Sequence, residues 1–380
     1  MVIRISNIVF SLTFPGTILY YVAISQHIFP PINSGFFGIM CTLALLTMLP
    51  LYIINAFSAG KIQPIDFAFF LFLGAFALIV VWHGAQTPDK SLMTWHLVSI
   101  AQSIAVFLLC KKTFSDTENN SWIVILSWIA ASACILIFSN DGRLALREMS
   151  DDVGIIPSYQ TFALCYMVTT TFIITKVKLR PLRYIVHIIA LTCLYINSAR
   201  SEFAGYLFFA ALLEFLSYKN KSTPIILAFI IFSFAIVAIT TEAVKLPESR
   251  ITALADLQND NSSNERDRMS KEGIEKIFES PISGAYGQYE EGGYIHNIMS
   301  VWQETGIFGA LFFILLITIP ALRGISKVLS RKPDHLSIVG LSLILTTILL
   351  LVAGKYFTYL LVPTALALCS VTKPKPTQHG

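Results

Sequence analysis

Charge is scarce in this sequence. Asp, Glu, Lys and Arg make up 13% of its 380 residues, about half of the roughly 25% usual in soluble domains. With 55% hydrophobic residues and a mean hydropathy of +0.67, that shortage excludes a soluble globular chain and indicates an integral membrane protein. No polar stretch is long enough for a separate soluble domain, so 1–380 reads as a single integral membrane domain. Paired cysteines are also missing. All six (Cys41, Cys110, Cys134, Cys165, Cys193 and Cys369) fall in apolar runs without CxxC spacing, which argues against a disulfide framework and for small buried hydrophobes. The histidines lack HxxxH and HExxH spacing, so no metal is expected. Internal repeats and low-complexity tracts are absent. No small-residue cleavage site follows the first apolar run, which reads as a retained helix. A net charge of +4, spread over short basic loops, sets membrane orientation and does not indicate a nucleic-acid partner.

What is present is a succession of apolar runs near spanning length: 8–26, 35–57, 65–83, 92–110, 121–139, 159–175, 184–199, 201–218, 225–241, 297–320, 336–352 and 355–370. The expected fold is an all-α polytopic membrane protein with about 12 transmembrane helices. Lys111–Lys112, Lys176, Lys178, Arg180, Arg183, Lys219, Lys221, Arg323, Lys327, Arg331, Lys332, Lys373 and Lys375 fall on one side by parity, which predicts both termini in the cytoplasm. Two loops are left outside, about 140–158 and 242–296. Within the second, 264–279 reads as an amphipathic helix with Met269, Gly273 and Ile277 on one face and Ile274 and Phe278 beside it, lying on the outer membrane surface and roofing a cavity.

Polar residues concentrate between Tyr294 and Gly309. On a helix, His296, Ser300, Gln303 and Glu304 share one face, with Glu304 about 12 Å below His296. Lipid does not tolerate such a stripe, so it faces protein or a wet cavity. A helix N-terminus and partial burial favour the neutral imidazole that a general base needs; a structural, hydrogen-bonded histidine is the competing reading of His296. Asn297 is a candidate cap or hydroxyl ligand. Arg200 sits in the tight turn Asn197–Glu202, either as an interfacial anchor or as a guanidinium aimed at a phosphate, with Glu202 orienting or neutralising it. Arg266 shares the Met269 face and has Ser270 four residues on, which marks it as a ligand candidate. Arg268 with Glu272 and Asp267 with Lys271 form ordinary solvated pairs. Arg143 and Arg147, interleaved with acids, are weaker candidates. His27, His83 and His96 read as interfacial residues.

Three stretches carry a resemblance. Ser198-Ala-Arg200 through Gly205, Glu265-Arg266-Asp-Arg268 followed by Pro281-Ile-Ser-Gly284, and His296-Asn297 followed by Glu304-Thr-Gly306-Ile-Phe-Gly309 are similar to motifs of the O-antigen ligase/polymerase family, over residues 190–320. The resemblance implies a GT-C-like, metal-independent inverting glycosyltransferase with no cofactor. It implies a Gram-negative inner membrane location with the active site facing the periplasm. Donor and acceptor would be undecaprenyl-diphosphate-linked oligosaccharides, with membrane lipid and a chain-length regulator protein as further partners. Arg200 and Arg266 would bind the diphosphate and His296 would activate the acceptor hydroxyl, with substrate contacts at Asn297, Glu304, Arg143, Arg147 and Tyr294. An O-antigen polymerase is the first reading. A ligase transferring the glycan to lipid A-core and a lipid-linked oligosaccharide flippase are the alternatives.

Overall fold

Hydrocarbon offers no hydrogen-bond partners, so a chain this apolar satisfies its peptide groups within helices. The computed structural model describes residues 4–30, 32, 35–59, 62–87, 90–115, 121–139, 143–144, 159–217, 261–289, 293–330 and 333–371. Among them the regular structure is helical, in thirteen segments: α1 Ile5–Thr13, α2 Pro15–Ser25, α3 Phe36–Ala59, α4 Pro64–Gln86, α5 Ser91–Ser115, α6 Trp122–Ile137, α7 Tyr159–Lys176, α8 Arg180–Ile196, α9 Arg200–Ser217, α10 Asn261–Glu279, α11 Ser300–Ser330, α12 His335–Ala353 and α13 Leu361–Ser370. Five of these (α3, α4, α5, α11 and α12) are long and apolar enough to cross a membrane, six if the bent α1–α2 pair counts as one span. Phe67, Leu71, Leu78 and Trp82 stand exposed along α4, and Phe308, Leu311, Leu315 and Leu322 along α11. Their three-, four- and seven-residue spacing makes each an apolar stripe suited to lipid. The protein is a helical, membrane-embedded protein.

The interior is organised around α7, in which every residue from Phe162 to Ile174 is buried. Thr169, Thr170 and Thr171 return their hydroxyls to carbonyls four residues back, at 2.8, 2.8 and 2.9 Å, so the central helix buries no orphaned hydroxyl there. α5 packs on α3, α4 and α13, and α12 packs on α9, α11 and α13. All six cysteines are free, four of them fully buried.

Three expected spans come out differently. The run 8–26 bends by 45° between α1 and α2, because Pro15 opens α2 without an N–H to continue the ladder. The run 355–370 contributes only the ten residues of α13, about 15 Å of a hydrocarbon core of about 30 Å. Gly354, at φ 148°, ends α12, and the stretch up to Leu360 folds as turns that carry Lys355, Tyr356 and Tyr359. The run 297–320 starts later and ends later, as α11. The expected span 225–241 lies outside the described residues, as does most of the 140–158 loop. α6 to α9, at 16 to 18 residues each, are shorter than typical spans of about 20 residues.

Helix ends gather in two groups. At one end Arg180 reaches the Ser217 carbonyl at 3.3 Å, His335 contacts the Ile174 carbonyl at 2.8 Å, and Lys327 meets Ser337 at 2.5 Å. Lys111 and Lys112 face the end of α13 there. Lys111, Lys112, Arg180 and Lys327 thus share one end, while Lys219, Lys221, Arg331, Lys332, Lys373 and Lys375 lie outside the described residues. The other end holds the candidate site.

Candidate functional site

The site end is assembled from short polar connections that the apolar helices bring together. α8 stops at Ile196 and α9 starts at Arg200, with Ser198 in the left-handed region at φ 59°. Asn197 Nδ2 donates to the Tyr159 carbonyl at 2.7 Å, and Leu144 N–H donates to the Ile196 carbonyl at 2.9 Å. This places Arg143 beside the turn that carries Arg200, while Arg147 lies outside the described residues. Arg200 is half-buried at the first position of α9. Two residues on, Glu202 is fully buried. Its Oε1 accepts from Lys355 Nζ at 2.5 Å and from the Tyr359 hydroxyl at 3.1 Å, and its Oε2 accepts from Ser201 Oγ at 2.8 Å. The cation on this carboxylate that sequence reasoning missed is Lys355.

The second motif and the third prove to be two halves of one backbone junction. Gly306 takes φ 69° and ψ −178° inside α11 and breaks the helix for one residue. Its missing side chain admits the Pro281–Gly284 turn, since a Cβ there would lie 1.9 Å from the Ile282 carbonyl oxygen. Gly284, at φ 78°, would bring a Cβ to 2.7 Å from the Gly306 nitrogen. Ile307 N–H and Trp302 Nε1–H both donate to the Pro281 carbonyl, at 3.0 and 2.8 Å, and Ala285 N–H donates to the Gln303 carbonyl at 2.7 Å. Only residues that tolerate positive φ permit this contact.

The same junction explains where the polar stripe goes. Ser300, Gln303 and Glu304 are fully buried, as a stripe unsuited to lipid requires. Ser300 Oγ accepts from Phe357 N–H at 3.3 Å, Gln303 Oε1 from Ile295 N–H at 3.0 Å, and Glu304 Oε1 from the Tyr289 hydroxyl at 2.8 Å. They fasten Tyr289, Ile295 and Phe357 onto α11. Burial and the Glu304 carboxyl together push the Tyr289 phenol far above its ordinary range. The Tyr356 side chain also faces the Glu304 carboxyl. Glu304 thus anchors the aromatic loops from within the bundle.

His296 does not belong to that stripe. α11 begins at Ser300, and His296 precedes it in a bend, because Asn297 acts as the cap. Asn297 Oδ1 accepts from Met299 N–H at 2.8 Å, and its carbonyl accepts from Ser300 N–H at 3.0 Å. The His296 ring lies 4.5 Å from that of Tyr294, which is itself 4.7 Å from Tyr356 and 5.7 Å from Trp95. Half-buried, His296 lines a cavity of about 290 Å³ with Tyr294, Lys355, Tyr359, Gln160 and Ser201, the residue after Arg200.

The amphipathic helix forms as α10, three residues longer at its start than expected. Gly273 and Ile277 are its buried positions, and Phe278 stands exposed. A Cβ on Gly273 would meet the Ile295 side chain at 2.3 Å, so this glycine sets the approach of α10 to the segment bearing His296. Arg268 is 62% exposed and pairs with Glu272 at 3.4 Å, the solvated i,i+4 pair expected. The side chain of Arg266 lies outside the described residues.

His96 departs furthest from expectation. It is fully buried instead of interfacial, with Nδ1 at 2.8 Å from the Tyr286 hydroxyl and Nε2 at 3.0 Å from that of Tyr356. A buried imidazole needs both nitrogens satisfied, and two loop tyrosines, invisible to helical periodicity, supply this. Lys355 did leave a signal. It is a cation in Gly354-Lys355-Tyr356-Phe357-Thr358-Tyr359, at the end opposite the basic loops. No family model matches the chain, and no curated protein matches it.

Proposed function

We propose that this protein is an inverting, metal-independent glycosyltransferase that polymerises lipid-diphosphate-linked oligosaccharide units, of the O-antigen polymerase type, on the periplasmic face of an inner membrane. The observation that carries the reading is the shared cavity. His296 and Ser201, the second residue of α9, line the same space, and Arg200 is the residue before Ser201. A base and an anion-binding helix start side by side are what transfer from a diphosphate leaving group needs.

In the reaction, His296 takes the proton of an acceptor sugar hydroxyl as its oxygen attacks the anomeric carbon of the donor. The bond from that carbon to the carrier's diphosphate breaks, and the leaving group keeps the electron pair. Arg200, the α9 N-terminus and, from α10, Arg266 meet the developing charge; a planar guanidinium suits two phosphate oxygens. The Lys355–Glu202 pair fixes the α9 start against the 354–360 segment. Asn297 holds the bend that presents the imidazole.

His296→Gln and His296→Ala accumulate in the membrane at normal levels, still bind the lipid-linked donor, and lose turnover by about 10²–10⁴-fold. Transfer by the native protein falls as acidification protonates the imidazole. A normal glycan chain-length distribution in cells carrying only His296→Gln would overturn the assignment. If the product is instead glycan attached to lipid A-core, the enzyme is a ligase using the same site.

A further inference from the structure

A second cavity, of about 510 Å³, adjoins the first at the site end, within the range of about 300–1,000 Å³ common for ligand pockets. It lies between the end of α4, the start of α5 and the residues Tyr286, Gly287, Tyr289 and Tyr294, and among the described residues it shares Trp95 and Tyr294 with the His296 cavity. The two linings contrast. The His296 cavity carries the Lys355 ammonium, whereas the second has no Asp, Glu, Lys or Arg among its described lining residues. Its walls are instead rich in flat rings: Trp95, Tyr286, Tyr289, Tyr294 and His83. Hydroxyls of Thr87 and Ser91 stand among them. Lys90, between those two residues, spends its ammonium on the carbonyls of Gly84 and Thr87.

The rings are held in place from behind. The Tyr286 hydroxyl is fixed by His96 at 2.8 Å and that of Tyr289 by Glu304 at 2.8 Å, both partners fully buried. Trp95 and Tyr294 stand with ring centroids 5.7 Å apart and planes inclined by 28°. Rings locked by buried polar groups form a preorganised surface. Flat aromatic faces with hydroxyls at the rim, and no Asp, Glu, Lys or Arg among the described lining residues, suit a ligand with apolar C–H faces and many hydroxyls. A phosphate would be unpaired there, and an acyl chain would leave the hydroxyls unused.

We infer that this second cavity is a saccharide subsite, which stacks the sugar rings of the acceptor glycan and feeds its terminal unit past Trp95 and Tyr294 toward His296. The inference rests on the glycosyltransferase reading for the direction of feeding, and on the aromatic lining for the ligand class. Anionic carrier and neutral sugars are thereby sorted into neighbouring cavities.

The test uses the full-length protein in lipid nanodiscs and two probes. One is the host cell's own surface polysaccharide, released by mild acid, freed of lipid and phosphate, and fractionated to short oligosaccharides. The other is polyprenyl diphosphate without sugar. The oligosaccharide binds the native protein; Trp95→Ala weakens it by roughly tenfold, and Trp95→Phe, which keeps a flat ring, by less. His83→Ala, at a residue that lines the second cavity and not the first, weakens oligosaccharide binding in the same direction, leaves binding of the diphosphate unchanged, and carries the test if Trp95→Ala does not accumulate. No oligosaccharide binding to the native protein, or binding indifferent to Trp95 and His83, overturns the subsite while leaving the donor reading standing. A Trp95→Ala protein that loses co-purifying lipid but not oligosaccharide affinity overturns it in favour of an acyl-chain site. Ring-dependent oligosaccharide binding with no affinity for polyprenyl diphosphate leaves the subsite standing and removes the donor reading.

Discussion

The two ends of the bundle each bury an ion pair, and only one of them adjoins the candidate site. At the basic end Arg183 grips Glu214 with two nitrogens, at 2.5 and 2.7 Å, and His187 Nε2 lies 3.5 Å from the same carboxylate. His187 Nδ1 is in turn 2.9 Å from the Tyr206 hydroxyl. α8 and α9, neighbours in sequence, supply all four residues, and the planar fork satisfies both carboxylate oxygens. At the site end Lys355 reaches Glu202 across 153 residues of chain. An ammonium is a point charge on one oxygen, so Tyr359 and Ser201 complete the shell, and Lys355, Tyr359 and Ser201 all line the His296 cavity. One pair closes a helical hairpin. The other ties distant segments together around an open space, beside Tyr294 and Tyr356.

Glycines sharpen that contrast most. Gly306→Ala forces a Cβ to 1.9 Å from the Ile282 carbonyl at φ 69°, and the expected cost exceeds about 3 kcal/mol, because strain and backbone clash add. Gly324→Ala at the basic end meets only the Leu341 side chain, at 3.1 Å. There the gain in helix propensity, up to about 1 kcal/mol, offsets most of the crowding. Thermal unfolding of the two purified variants checks this. Equal shifts would mean that the Pro281–Gly306 junction does not organise the site end.

Ion-pair variants come next in size. Lys355→Met and Arg183→Met each leave a buried carboxylate uncompensated, at about 3–5 kcal/mol. Adding Glu202→Gln to Lys355→Met recovers much of that loss, because the orphaned charge goes with it. Activity separates the pairs: per folded molecule, glycan transfer falls for Lys355→Met with or without Glu202→Gln, and is retained for Arg183→Met. Equal losses of transfer at both ends would erase the difference between a closing pair and a site-forming one.

Much of this was legible in the sequence where a single helix decides the outcome. Ser300, Gln303 and Glu304 were placed on one buried face by periodicity, and α10 with its Gly273–Ile277 face followed from spacing alone. Where two distant segments decide it, local spacing carried no information. His96 looked interfacial because its partners, Tyr286 and Tyr356, lie 190 and 260 residues away. Lys355 was absorbed into an apolar run because the turns before α13 are as hydrophobic as a span. His296 was assigned to a helix that Asn297 delays by capping it at the next turn. The Gly284 and Gly306 stretches were read as two separate motifs, and their geometry makes them each other's partners.

The smallest effect tests α10. Arg268 and Glu272 are 62% and 54% exposed, with their charged atoms 3.4 Å apart on the outer face of α10. A pair so placed is screened by water and salt and contributes at most about 0.5 kcal/mol. Arg268→Ala is therefore expected to shift the unfolding midpoint within error and to leave transfer unchanged. Arg266, two residues earlier, falls on the opposite, packed side of the same helix by the spacing of Gly273 and Ile277, and Arg266→Ala is expected to abolish transfer at normal protein levels. The two substitutions remove the same charge from the same helix, so a difference between them reads the face and not the net charge. If Arg268→Ala is inactive and Arg266→Ala active, α10 presents its exposed face to the substrate, and its packed face is not where the carrier's diphosphate binds.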